Sequence, residues 1–148
     1  MGQDGRDGPQ DRQDAPPPLP ALVLVLCFLL LVWQPISFAL VGSILLNRMV
    51  ARGWQLALVV TLRVFVTAFG IGAGLALLRR DPAAVSIAMA SLVASAATDV
   101  FVYTTSYFPN NRLPGDTRIV LTASLIYHGI WLAYLYRSKR VRRTYGQG

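Results

Sequence analysis

Four stretches of this chain, Ala21 to Leu46, Trp54 to Leu78, Pro82 to Tyr107 and Arg118 to Tyr136, are each long and predominantly apolar. A helix that crosses a bilayer needs about 20 such residues, and only a helix or a closed barrel can satisfy its own backbone amides where there is no water to do so. In a chain of 148 residues these stretches leave little over, so no separate soluble domain fits beside them. With 54% hydrophobic and 14% charged residues, the chain is too apolar for an ordinary soluble domain of this size. The expected fold class is an all-α membrane protein, a four-transmembrane-helix bundle with both termini cytoplasmic.

Its expected organisation is a disordered polar tail over 1–20, a four-helix transmembrane domain over 21–137 and a basic tail over 138–148. The first tail, "MGQDGRDGPQDRQDAPPPLP", holds almost nothing that could be buried. It is mixed in charge where a secretory signal wants a basic start, and the apolar stretch that follows is too long, although "SFA" at 37–39 is a weak cleavage site. Arg6 stands where a myristoylation signal wants Ser or Thr.

Orientation follows from Lys and Arg counted by side. The N-tail, the second connection (Arg79, Arg80) and the C-tail carry nine, against four on the other side (Arg48, Arg52, Arg112, Arg118), which places both termini in the cytoplasm. "RRDP" at 79–82 is a tight connection in which Asp81 can cap the third helix and Pro82 suits its first turn. "FPNNRLPGD" at 108–116 reads as the one longer loop. The net charge of +7 is concentrated in Arg137, Lys139, Arg140, Arg142 and Arg143, a cluster suited to anionic lipid head groups. No aromatic platform or helix-turn-helix pattern accompanies it, so nucleic acid is not an expected partner.

Inside "VVTLRVFVT", residues 59–67, stands one arginine, Arg63. A charge near a helix centre costs about 2.5 to 3.5 kcal/mol to insert, so it usually faces the bundle and has a partner. Arg63 lies nine residues in from Trp54 and Asp99 eight in from Tyr107, both roughly 12 to 14 Å deep at 1.5 Å per residue. His128 and Gln34 fall at roughly 15 and 18 Å. Each span thus gives one strongly polar residue, Gln34, Arg63, Asp99 or His128, to one broad layer. Arg63 shares a face with Thr67, Gly70 and Gly74, and Asp99 with Ala88, Ser95 and Ser106. Close approach of these small-residue faces would bring Arg63 and Asp99 together as an ion pair. Two alternatives stand beside a structural pair: Arg63 snorkels toward the nearer interface, or the pair serves proton or substrate movement.

Gln34 precedes Pro35 in "VWQPISF", where proline removes one intrahelical bond and should kink the first helix. His128, with only Ser124 as a polar neighbour on its face, reads as a hydrogen-bonded structural histidine. Cys27 is the only cysteine and reads as a small apolar residue within the first span. Isolated, these two residues make a metal site unexpected, and no cofactor is implied.

The most distinctive text is "GIWLAYLYRSKRVRRTY", 129–145. Ile130, Trp131, Tyr134, Ser138, Lys139, Arg140, Val141, Thr144 and Tyr145 resemble the closing motif of a family of small bacterial inner-membrane proteins, domain of unknown function 2569. Ala133 stands where that family commonly has proline, and Tyr145 where it has phenylalanine. The resemblance implies a bacterial inner membrane and a four-helix bundle, and carries no activity. In physical terms the aromatics sit at an interface and the arginines after them can meet lipid phosphates; docking of a partner protein is the alternative.

An enzyme is not expected: there is no HExxH, no nucleophile with a base at working spacing, no phosphate loop and no carboxylate pair. The expected function is that of a small structural or accessory component, packing against a larger complex or forming a homo-oligomer through the glycine face. The competing expectation is a transporter or proton-linked channel subunit that uses Arg63, Asp99 and His128.

Overall fold

The computed structural model describes residues 18–40, 53–105 and 116–146. Helix α1 spans Ala21–Leu40, α2 Trp54–Arg79, α3 Ala84–Thr104, α4 Asp116–Arg137 and the short α5 Lys139–Thr144. There is no strand among the described residues. Helices α1 to α4 are long and apolar enough to cross a membrane, and their outward side chains, among them Phe28, Leu40, Phe65, Val93, Ile119 and Ile130, are exposed hydrophobics suited to lipid. The chain is an all-α membrane protein with four spans. Residues 1–17 of the tail expected over 1–20, the end of the first span beyond Leu40 and residues 108–115 of the loop expected over 108–116 lie outside the described residues.

The proline of α1 is accommodated rather than merely tolerated. Leu29–Trp33, just before Pro35, form a turn of π pitch in which the Gln34 amide bonds back five residues to the Leu29 carbonyl. A wider turn makes room for a ring that cannot donate and would crowd the preceding carbonyls.

At its other end α2 stops through a Schellman arrangement: the Asp81 amide reaches the Ala76 carbonyl at 3.1 Å and the Arg80 amide reaches that of Leu77 at 3.2 Å. This requires Arg80 to adopt a left-handed conformation, φ 58°. Asp81 then turns the chain. Its Oδ1 accepts from the Ala83 amide at 2.9 Å within the turn; it does not cap the helix as expected, because the regular helix begins at Ala84 with Ala83 at its N-cap and no side-chain cap bond, two residues later than Pro82.

Helix α1 packs on α2, α2 on α3, and α3 on α4. The α1–α2 contact is the close one. A Cβ on Gly74 would sit 2.8 Å from Leu31 Cγ, and one on Gly70 would sit 2.6 Å from Gln34 Oε1. The glycine face therefore serves α1 rather than the α3 face that carries Asp99. It is filled from within the chain, by Leu31 and Gln34 of α1.

The apolar core gathers where the start of α1, the α2–α3 turn and the end of α4 meet. Val23, Leu26, Leu77, Ala84, Val85, Ala88, Leu92 and Leu135 are its buried members, with Cys27, whose Sγ points to the Gly74 carbonyl at 3.8 Å.

The reading of 138–148 as a basic tail is corrected here. Ser138 breaks α4 with an extended backbone, and its hydroxyl accepts from the Val141 amide at 3.4 Å to start α5. Helix α5 folds back so that Val141 and Tyr145 join the core, 0% and 3% exposed. The Tyr145 hydroxyl donates to the Leu77 carbonyl at 2.7 Å, a second bond to an acceptor at the end of α2 that also takes the Arg80 amide. Burial pushes the Tyr145 phenol up to about 12.

Candidate functional site

Beyond that core, with Leu30 and Leu92 shared between the two, the bundle holds a cavity of about 410 Å³ lined from all four spans. Residues predicted from sequence to form one polar layer meet there: Gln34, Arg63, Asp99 and His128 all line it. Three of them are joined. Arg63 Nη2 donates to Asp99 Oδ1, a salt bridge between α2 and α3. The Ser124 hydroxyl, on α4, donates to Asp99 Oδ2. His128 Nδ1, one turn further along α4, lies 2.8 Å from the Ser124 carbonyl oxygen and 3.4 Å from its hydroxyl.

These bonds fix protons as well as positions. A carbonyl oxygen can only accept, so His128 Nδ1 carries the hydrogen, and in the neutral ring the lone pair is on Nε2. Asp99 has both oxygens engaged, one by a cation and one by a hydroxyl. The Asp99 and Arg63 side chains are 12% and 28% exposed, so the pair is largely withdrawn from its surroundings. Opposite charge and hydrogen bonds offset the cost of placing them there. Of the readings the sequence left open for Arg63, the structure has the pair and not a guanidinium extended to an interface.

Gln34 is placed differently. It lies against Gly70 of α2 and shares the cavity, without joining the hydrogen-bonded chain. The absence of a Cβ on Gly70 is what lets a polar side chain from α1 come so near the α2 backbone.

The cavity lies between α1 and α4, which do not pack closely along their lengths. Trp33 of α1 and Tyr127 of α4 both line it, yet are 60% and 37% exposed. They form the rim of an opening toward the lipid side of the bundle. The π turn of α1 contributes Leu29, Leu30 and Trp33 to the wall; such turns are frequent at functional sites. Deeper in, Ser91 of α3 is 1% exposed and its hydroxyl has no partner.

Two contributors were not legible from spacing. Ser124 was expected only as a neighbour of His128, and its bond to Asp99 depends on how α4 is rotated against α3. Ser91 was not singled out because it is one of several serines along its span, with Ser86 and Ser95.

The C-terminal motif residues sit elsewhere, at the core end. Trp131 and Tyr134 meet edge to face with centroids 6.0 Å apart, Ser138 caps α5, Val141 and Tyr145 are buried, and the Thr144 hydroxyl donates to the Arg140 carbonyl at 2.9 Å. Lys139 and Arg140 are exposed. The motif is thus in part an internal docking element. Among the described residues no group of three or more His, Cys, Asp or Glu side chains is placed to hold a metal ion.

Fold and site together define an integral, multi-pass helical bundle with an intramembrane polar cavity. No family model, curated protein or solved structure matches the chain.

Proposed function

We propose that this chain is a small accessory protein of a bacterial inner membrane, working by how it packs in the bilayer rather than by catalysis. The observation that carries this reading is the mutual neutralisation of Arg63 and Asp99: a saturated pair, further held by Ser124, is suited to fixing helix positions. The resemblance of 129–145 to domain of unknown function 2569 supports the compartment. The basic residues after α4 support cytoplasmic termini, and exposed Lys139, Arg140 and Arg143 fit anionic head groups. Of the four spans α4 is the least covered, with 11% of its apolar window buried against 39% for α3. That uncovered flank suits a neighbouring membrane protein or a second copy, as well as lipid.

A transporter or proton-linked subunit is the second reading, favoured by the cavity that Arg63, Asp99 and His128 share. Here His128 Nε2 would take a proton and Ser124 would link the ring to Asp99. An acid pulse on proteoliposomes with a trapped pH dye separates the two. The accessory reading expects wild type and Asp99→Asn to relax at the rate of empty vesicles. Faster relaxation in wild type than in empty vesicles would overturn it in favour of the second.

A further inference from the structure

Among the described side chains that line the cavity between α1 and α4, one fully buried hydroxyl has no bond at all. Ser91 is almost fully buried on its inner wall, and the hydroxyl bonds to nothing. Buried hydroxyls in native proteins are satisfied by protein, by water or by a ligand, and a volume of about 410 Å³ falls in the range of small-molecule sites.

We propose that this cavity binds a membrane-dissolved, uncharged ring bearing oxygen acceptors, the chemistry of a quinone head group, and that the ligand enters from the lipid between α1 and α4. This goes beyond an accessory role, which needs no ligand.

Charge selects against ions. Asp99 has both oxygens taken, so it offers a cation little, and Arg63 is already neutralised, so it offers an anion little. What the wall retains is hydrogen bonding without net charge. After a change of rotamer the Ser91 hydroxyl, which has no exposed surface in the packed bundle, donates to one ring oxygen. Arg63, whose fork has more N–H groups than the one used on Asp99, donates toward another. The His128 Nε2 lone pair accepts from a ring hydroxyl when the ligand is in its reduced form.

Shape and access select a ring from the bilayer. Much of the wall is apolar, with Leu29, Val59 and Leu92 among its residues. Trp33 of α1 and Tyr127 of α4 both line the cavity while well exposed, so its mouth carries an aromatic side chain from each of the two helices. A planar ring can pass between such side chains and stack on them, whereas a freely soluble polar solute would have no reason to arrive by that route.

The test uses full-length protein in phosphatidylcholine nanodiscs, titrated with a decyl-substituted benzoquinone that quenches tryptophan. The expected result is a saturable quenching component in wild type, missing in Trp33→Phe, with affinity weakened about three- to tenfold in Ser91→Ala, the loss of one hydrogen bond. Ser91→Ala removes only a hydroxyl, and its melting temperature checks that the fold is kept. Quenching that rises linearly in wild type and Trp33→Phe alike is bilayer partitioning and overturns the proposal. A saturable component untouched by Ser91→Ala, or one displaced by phosphatidylglycerol, places the quinone elsewhere or makes the occupant a phospholipid, and also overturns it.

Discussion

At position 99 a carboxylate sits among apolar helices with both oxygens occupied, and the quality of that occupation decides whether the residue is tolerable there. Arg63 supplies charge and Ser124 supplies a hydroxyl. Hydrogen bonds to a charged group contribute about 1.5 to 3 kcal/mol, so Ser124→Ala should lower stability by roughly that amount and leave the helices assembled, as read by thermal melting in detergent with circular dichroism. The glycines of α2 make a second comparison at the same scale. Gly74→Ala would place a Cβ against the branch point of Leu31, which cannot swing aside as the Gln34 amide beside Gly70 can. Overpacking of this kind costs about 1 to 3 kcal/mol. Gly72, on the same helix with nothing within 4 Å of its would-be Cβ, is the control: Gly72→Ala should be neutral or stabilising by up to about 1 kcal/mol through helix propensity. If Gly72→Ala and Gly74→Ala behave alike, the close α1–α2 approach is wrong.

Among the elements, the four spans were legible because hydrophobic length needs no tertiary information, and their bounds moved by only a few residues at the ends described. Depth was legible for the same reason: counting from a span's end places Arg63, Asp99 and His128 at similar levels whatever the rotation of each helix. Rotation was not, which is why the Gly70 and Gly74 face was expected to accompany the ion pair and instead receives Gln34 and Leu31 of α1. Helix α5 was missed because a run of Lys and Arg looks like a solvated tail; only Val141 and Tyr145, four apart, mark its buried side. That side depends on a neutral phenol. Burial holds the Tyr145 proton to about 12 in the folded chain, while an undocked tyrosine releases it near 10. Between those values the undocked form binds fewer protons, so docking of α5 is fully stable below about pH 10 and weakens as pH rises toward 12. A spin label at Arg143→Cys in a Cys27→Ser background should become mobile over that window. In Tyr145→Phe the window should vanish, because no proton is left to lose. A mobility that titrates identically in Tyr145→Phe would assign it to another group.

For the whole molecule, the bundle divides into a packed end, where α1, the α2–α3 turn, α4 and α5 share one apolar cluster, and a polar end, where a cavity is held open by an ion pair and its hydrogen bonds. The packed end explains why four helices with little burial of α4 hold together as one unit. At the polar end the Arg63–Asp99 contact sets the spacing of α2 and α3, and Ser124 carries that register to α4. The measurement that tests this most directly is a double-mutant cycle on Arg63→Gln and Asp99→Asn, read as thermal stability in detergent. Either single change strands its partner, a loss of about 3 to 5 kcal/mol for buried pairs in soluble proteins, and the two together strand neither. The bundle described here predicts two strongly destabilised single mutants and a double mutant that recovers much of the loss. Single mutants that melt with wild type, or a double mutant that loses the sum of both, would contradict it.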